Sequence, residues 1–261
     1  MKRAVTIQDI SCVGQCSLTV ALPIISACGI ETSVLPSAVL STHTAGFTGF
    51  TFRDLTEDMP DICAHWKKEG ITFDGIYTGY LGSAKQIEYV KDIIKKTAAD
   101  GCLAVIDPAM ADNGKLYPGF DAAFVEEMKK LCADADYLLP NITEASFLTD
   151  MDFRTSYDEA YINELIEKLC ALGAKNVILT GVSYKEGYTG VVVHENGTSQ
   201  YYEHKQIAGG IHGTGDIYAS AFVGAKLVAK QLMKQLKLQL TMYVNVLWKV
   251  KTILITHMVL D

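Results

Sequence analysis

The stretch Ala208-Gly209-Gly210-Ile211-His212-Gly213-Thr214-Gly215-Asp216, followed by Ile217–Ala225 at helical spacing, reads as a glycine-rich turn that opens a helix. Such a turn aims several backbone N–H groups at one point. The helix dipole adds partial positive charge there, so an anion is favoured. No Gly-Lys-Ser/Thr follows, so this is not a Walker A loop. Its place near the C-terminus, rather than after a first strand, excludes a dinucleotide fingerprint. Asp216 sits beside the anion site, where a carboxylate can accept a hydroxyl proton or cap the helix.

Upstream of this turn, β-rich apolar runs alternate with helical patterns. Strands are predicted at Ala4–Ile7, Thr32–Leu35, Gly75–Thr78, Leu103–Asp107, Tyr137–Pro140 and Asn176–Thr180. Helices are predicted at Ser17–Cys28 with Gly29 as stop, Glu57–Glu69 with Pro60 in its first turn, and Ser83–Ala99 closed by Gly101. Further helices are expected at Ala122–Ala133, Glu144–Leu148 and Glu159–Leu172. Gly190–His194 and Gln200–His204 read as a hairpin across Glu195-Asn196-Gly197. Strands alternating with crossover helices predict an α/β fold with a mainly parallel central sheet and helices on both faces. Ligands bind such sheets beyond the carboxyl ends of the strands, where Asp107, Asn141 and Thr180 fall.

The chain has 261 residues, 49% hydrophobic and 20% charged, which suits one α/β domain. No apolar run is long enough to span a bilayer, and no signal peptide is read at the N-terminus, so a cytoplasmic setting and no membrane partner are expected. A formal net charge of −7 argues against nucleic acid as a partner. The seven cysteines are scattered without zinc spacing and are expected to be buried thiols.

Six segments, in order, resemble the pyridoxal/pyridoxamine kinases of the ribokinase-like superfamily. They are Gln8-Asp9-Ile10-Ser11, Ser41-Thr42-His43-Thr44, Thr78-Gly79-Tyr80, Asp107-Pro108-Ala109-Met110-Ala111-Asp112, Asn141-Ile142-Thr143-Glu144 and Gly213-Thr214-Gly215-Asp216. Thr42 replaces the family's Asn, and Ala109 and Ala111 replace its Val and Gly. The resemblance spans roughly Ala4 to Val228 and implies a three-layer ribokinase-like fold. The activity it implies is ATP-dependent phosphorylation of the 5′-hydroxymethyl group of pyridoxal, pyridoxamine or pyridoxine.

In that reading Asp216 is the catalytic base, and the N–H groups of Gly213, Thr214 and Gly215 hold the transferred phosphoryl group. Asn141 and Glu144 organise Mg²⁺ and its waters near the phosphates, and Asp107 supports the metal or the base. Thr180 and Tyr117 contact phosphate, Tyr117 from a lid at Met110–Gly119. Ser11, His43, Thr44 and Tyr80 line the vitamin pocket. ATP with Mg²⁺, a monovalent cation and homodimer formation are implied as well. The enzyme alternative is a hydroxymethylpyrimidine kinase, whose substrate is also a flat heteroaromatic ring bearing CH₂OH. From another class, the alternative is a catalytically impaired vitamin-binding protein.

Residues 1–228 are expected to form the kinase domain and 229–261 an atypical tail. Between Asp216 and Asp261 there is no acidic residue, while six lysines occur after Gly224. Back-translating this segment and reading one base earlier turns Met233-Lys234 and Trp248-Lys249 into Glu, Met242-Tyr243 into Val and Met258-Val259 into Gly. With permitted choices elsewhere, the result resembles the family's closing helix, so a shifted reading frame after Val228 is a hypothesis for the tail. Sequencing the coding DNA near codon 228 tests it: no one-base change that restores that frame contradicts it.

Overall fold

A computed structural model describes residues 2–44, 46–207 and 212–228. The elements begin with β1 (Arg3–Ser11), α1 (Leu18–Ala27), β2 (Glu31–Leu40), β3 (Phe52–Asp54), a 3-10 turn (Thr56–Asp58) and α2 (Met59–Lys68). They continue with β4 (Phe73–Thr78), α3 (Ala84–Thr97), β5 (Ala98–Ile106), β6 (Ala111–Asp112), β7 (Lys115–Leu116) and α4 (Ala122–Cys132). The remainder are β8 (Tyr137–Leu138), α5 (Ile142–Thr149), α6 (Glu159–Ala171), β9 (Val177–Val182), β10 (Tyr188–Glu195), β11 (Thr198–Lys205) and α7 (Thr214–Leu227).

Nine of these strands form one sheet in the order β11-β10-β9-β8-β5-β4-β1-β2-β3. Pairs from β2 through β9 are parallel, and β3, β10 and β11 add antiparallel edges. Alternate strand residues feed two cores, as the two-residue period requires. Val5, Ile7, Ile76 and Ile106 face the layer containing α2 to α6. Ala4, Tyr77, Val105 and Ile178 face α1 and α7. This is the expected three-layer arrangement. The predicted hairpin is present, with Asn196 and Gly197 at φ 52 and 75, the left-handed pair a two-residue turn needs. Side-chain caps at Ser83, Asp121 and Asp158 start α3, α4 and α6.

Several expectations need correction. Gly101 does not close a helix. α3 ends at Thr97, and Gly101 (φ 72) lies within β5, whose register against β4 shifts between Phe73 and Gly75. The short strands β3, β6 and β7 were not anticipated; two or three residues carry no readable alternation. Of the cysteines, Cys63 and Cys132 are buried, Cys12 is exposed and the rest are half-buried. The tail at 229–261, with the frame hypothesis, and residues 208–211 of the glycine-rich stretch lie outside the described residues.

On the α1/α7 face, Phe222 is fully buried and meets Tyr137 edge-on at 4.9 Å. At the far end of α7, Lys226 pairs with Glu195 at 2.7 Å, and Glu195 also accepts a hydrogen bond from Tyr137. Phe222→Ala is expected to cost about 3–5 kcal/mol through cavity formation, measured by urea unfolding. A loss below about 1 kcal/mol would show that α7 is not held by this contact.

Candidate active site

The ends of the parallel strands converge on the N-terminus of α7. Gly213 is its N-cap residue, at φ 79, and the first intrahelical bond runs from Ile217 N to Gly213 O. The N–H groups of Thr214, Gly215 and Asp216 thus have no intrahelical partner. A Cβ on Gly213 would lie 1.9 Å from Gln15 O, so both its φ and its packing demand glycine. Asp216 stands in the first turn and does not cap the helix. Its Oδ2 instead accepts the backbone N–H of Ser17 at 2.9 Å.

Around Asp216 lies a group of buried acids. Burial pushes its pKa up to about 6; the Ser17 N–H opposes that rise and Asp9 reinforces it. Asp9, 5% exposed, is likewise raised by burial and opposed by the hydroxyls of Ser17 and Ser11, the Ser11 Oγ donating at 3.0 Å. The Cys16 thiol beside them is raised by burial, with Asp9 and Asp216 adding to the effect. Asp107, just past β5, is raised well above the carboxylate range by burial, then by Glu144 and Asp216.

Glu144 sits in the first turn of α5 and completes a capping box. Its Oε2 accepts from Asn141 N at 2.8 Å and its Oε1 from Met110 N at 3.2 Å, while Asn141 Oδ1 accepts from Glu144 N. Burial pushes Glu144 up to about 8 against these N–H donors. Asn141 also donates to Ala111 O at 2.9 Å, tying α5 to the β6–β7 ribbon. Thr180 lies within β9 rather than at its end, bridged to Asn141, with its hydroxyl donating to Pro140 O at 3.3 Å. The Tyr117 phenol is raised by burial and then by Glu144, Asp112, Asp107 and Asp216, and its N–H donates to Met110 O at 2.8 Å.

The expected vitamin-binding residues fall in three places: Ser11 beside Asp9, His43 and Thr44 on the β2–β3 connection, and Tyr80 just past β4. His43 packs against Gly14, where a Cβ would lie 2.0 Å from its ring, and its ring centroid is 5.2 Å from that of His212. The β2–β3 connection therefore meets the turn that opens α7. His43 Nδ1 and Thr42 Oγ1 are buried polar atoms without a hydrogen-bond partner, which fits a place where a polar ligand docks. The Tyr80 phenol is pushed up to about 12, first by burial and then by Asp9, and its ring lies 5.6 Å from Phe120. Thr44 is exposed on its loop, and its place in the site rests on sequence alone.

Sequence reading assigned no role to Asp9, Gln15, Ser17 or Phe120. Asp9 stands in one of the six segments, but its burial beside Asp216 is not visible there. Ser17 read only as a helix start.

Among the described residues no group of three or more His, Cys, Asp or Glu side chains is arranged to hold a metal ion. Asp107 and Glu144 are a pair, and the charged groups acting on Asp107 are themselves acidic. Such a pair suits a cation that keeps most of its waters.

Asp107 and Glu144 have folded pKa values above their unfolded ones. Their contribution to stability is complete below the usual carboxylate range and is lost as pH rises, for Glu144 towards about 8. Urea unfolding without nucleotide or divalent cation should show wild-type stability falling from about pH 5 to 8, and Asp107→Asn falling less. A slope as steep in Asp107→Asn would contradict a contribution from the buried Asp107 carboxyl.

A family model described as phosphomethylpyrimidine kinase matches residues 25–244. The pyridoxal kinase of Dictyostelium discoideum is 26% identical over 238 residues, covering 85% of this chain and 77% of that protein. A Bacteroides thetaiotaomicron protein described as a phosphomethylpyrimidine kinase, in a crystal form with pyridoxal, is 37% identical with a TM-score of 0.86. That match covers 91% of this chain and 84% of the other. The pyridoxal kinase of Lactobacillus plantarum is 29% identical with a TM-score of 0.89, covering 97% of this chain and 90% of its own. The chain belongs to the phosphomethylpyrimidine kinase family and has the ribokinase-like fold of the pyridoxal kinases.

Proposed function

We propose that the protein transfers the γ-phosphoryl group of ATP to the 5′-hydroxymethyl group of pyridoxal, pyridoxamine or pyridoxine. The observation that carries this reading is the buried Asp216 carboxylate, with a pKa of about 6, standing in the first turn of a helix with free N–H groups. A carboxylate there is ionised at neutral pH and can take the proton of an attacking hydroxyl. The N–H groups at Gly213, Thr214 and Gly215 receive the phosphoryl oxygens as charge shifts on to them. Pyridoxal in the Bacteroides relative favours a B6 vitamer over hydroxymethylpyrimidine.

Ser11, His43, Thr44 and Tyr80 hold and orient the ring in this reading, Tyr80 by its face and the others by polar atoms. Thr180 and Tyr117 steady the nucleotide phosphates. Thr180 must turn its hydroxyl from Pro140 to do so. Asp107 and Glu144 would hold Mg²⁺ through its waters, Asn141 fixing Glu144; both Glu144 oxygens already take N–H groups, which argues for water-mediated contact. Mg²⁺ supplies positive charge to the phosphates during transfer. Homodimer formation, a monovalent cation and a cytoplasmic setting come with this reading from the family resemblance alone.

A coupled ADP-release assay across pyridoxal, pyridoxamine, pyridoxine and hydroxymethylpyrimidine tests the proposal. Turnover is expected with the B6 vitamers. Turnover with hydroxymethylpyrimidine alone would move the assignment to that substrate, and no turnover would leave a vitamin-binding protein. The rate should rise as Asp216 ionises, giving an acid limb of kcat/KM near pH 6. Asp216→Asn should keep pyridoxal binding and lose at least about 100-fold in kcat; unchanged kcat would remove Asp216 as base.

A further inference from the structure

Four described non-glycine residues have positive φ: Ser17, Asn113, Asp150 and Asn196. Asn and Asp tolerate that region, because their short polar side chains bond locally. Ser17 is the exception. Its backbone lies at φ 51 and ψ −132, a conformation glycine adopts freely and other residues hold only when their surroundings enforce it.

Those surroundings can be named. Ser17 is the N-cap residue of α1, yet its hydroxyl makes no cap hydrogen bond; it lies towards Asp9, whose burial-raised pKa it opposes. Its carbonyl accepts the N–H groups of Val20 and Ala21, at 3.0 and 2.9 Å. The Thr19 hydroxyl donates to Cys16 O at 2.8 Å, and Gln15 O is pressed against Gly213. The backbone is thus fixed on both sides of the unusual torsion, and its N–H points at Asp216 Oδ2, 2.9 Å away.

We propose that Ser17 is a positioning residue for Asp216. Hydrogen bonds on both sides of Ser17 hold its backbone in a glycine-like conformation, and that conformation turns the N–H on to the carboxylate. A Ser17 relaxed to negative φ would turn its N–H elsewhere and leave the carboxylate free to rotate. The inference rests on Asp216 as the proton acceptor and adds what orients it.

The test compares Ser17→Ala with Ser17→Gly, using saturating ATP and varied pyridoxal. Alanine loses the hydroxyl but keeps the steric bias against positive φ. Glycine loses the hydroxyl and the bias together. Ser17→Ala should lower kcat at least about tenfold, with KM for pyridoxal within about threefold of wild type. Ser17→Gly should recover most of that loss, although it is the larger departure from serine. If alanine is as active as wild type, or glycine as impaired as alanine, the positioning role is overturned. Should Ser17→Ala fail to fold, Ser17→Cys replaces it, since Cys keeps the bias against positive φ and its thiol is only a weak donor. A loss of about tenfold in Ser17→Cys that Ser17→Gly largely recovers then supports the role, and wild-type kcat in Ser17→Cys overturns it. A wild-type protein inactive with every acceptor would instead sink the base reading.

Discussion

The site depends on one contact between chain segments 199 residues apart: the Ser17 N–H on the Asp216 carboxylate, with Gly213 pressed against Gln15 O. The sheet makes this contact possible. β1 is internal, flanked by β4 and β2, and α1 and α7 pack on the same face beside it. The connection leaving β1 and the turn entering α7 therefore meet over the strand ends. Only glycine fits at position 213, because a side chain there would push the two apart.

Gathering Asp9, Asp107, Glu144 and Asp216 at one place is costly, and the fold offsets it with backbone N–H groups more than with cationic side chains. Ser17 N–H serves Asp216, while the N–H groups of Asn141 and Met110 serve Glu144. The donors lower the pKa values that burial raises. Glu144 combines two duties, since the capping box that starts α5 also fixes the acid facing Asp107. Removing it would loosen a helix as well as alter the charge of the site. An acidic basin beside helix N–H groups suits a ligand carrying phosphates and a divalent cation together.

Much of this was legible in the sequence, for local reasons. Alternating apolar runs gave the strands, Asn196-Gly197 gave the hairpin, and strand-end polar residues gave Asp107 and Asn141. What sequence could not show depends on tertiary contact. Gly101 looked like a helix stop because φ > 0 serves a bulge equally well. The role of Ser17 was hidden because serine at a helix start suggests a cap, whereas this hydroxyl makes no cap bond and the backbone N–H meets Asp216. Asp9 was visible as a letter in a motif, but its burial beside Asp216 follows from packing α1 against α7.

³¹P NMR of a reaction with ATP, Mg²⁺ and pyridoxal follows the transferred phosphoryl group itself. A new phosphomonoester signal coupled to the 5′-methylene protons of pyridoxal is expected, growing as the γ-phosphate signal of ATP falls. Loss of ATP with only inorganic phosphate appearing, or no loss of ATP, would contradict it.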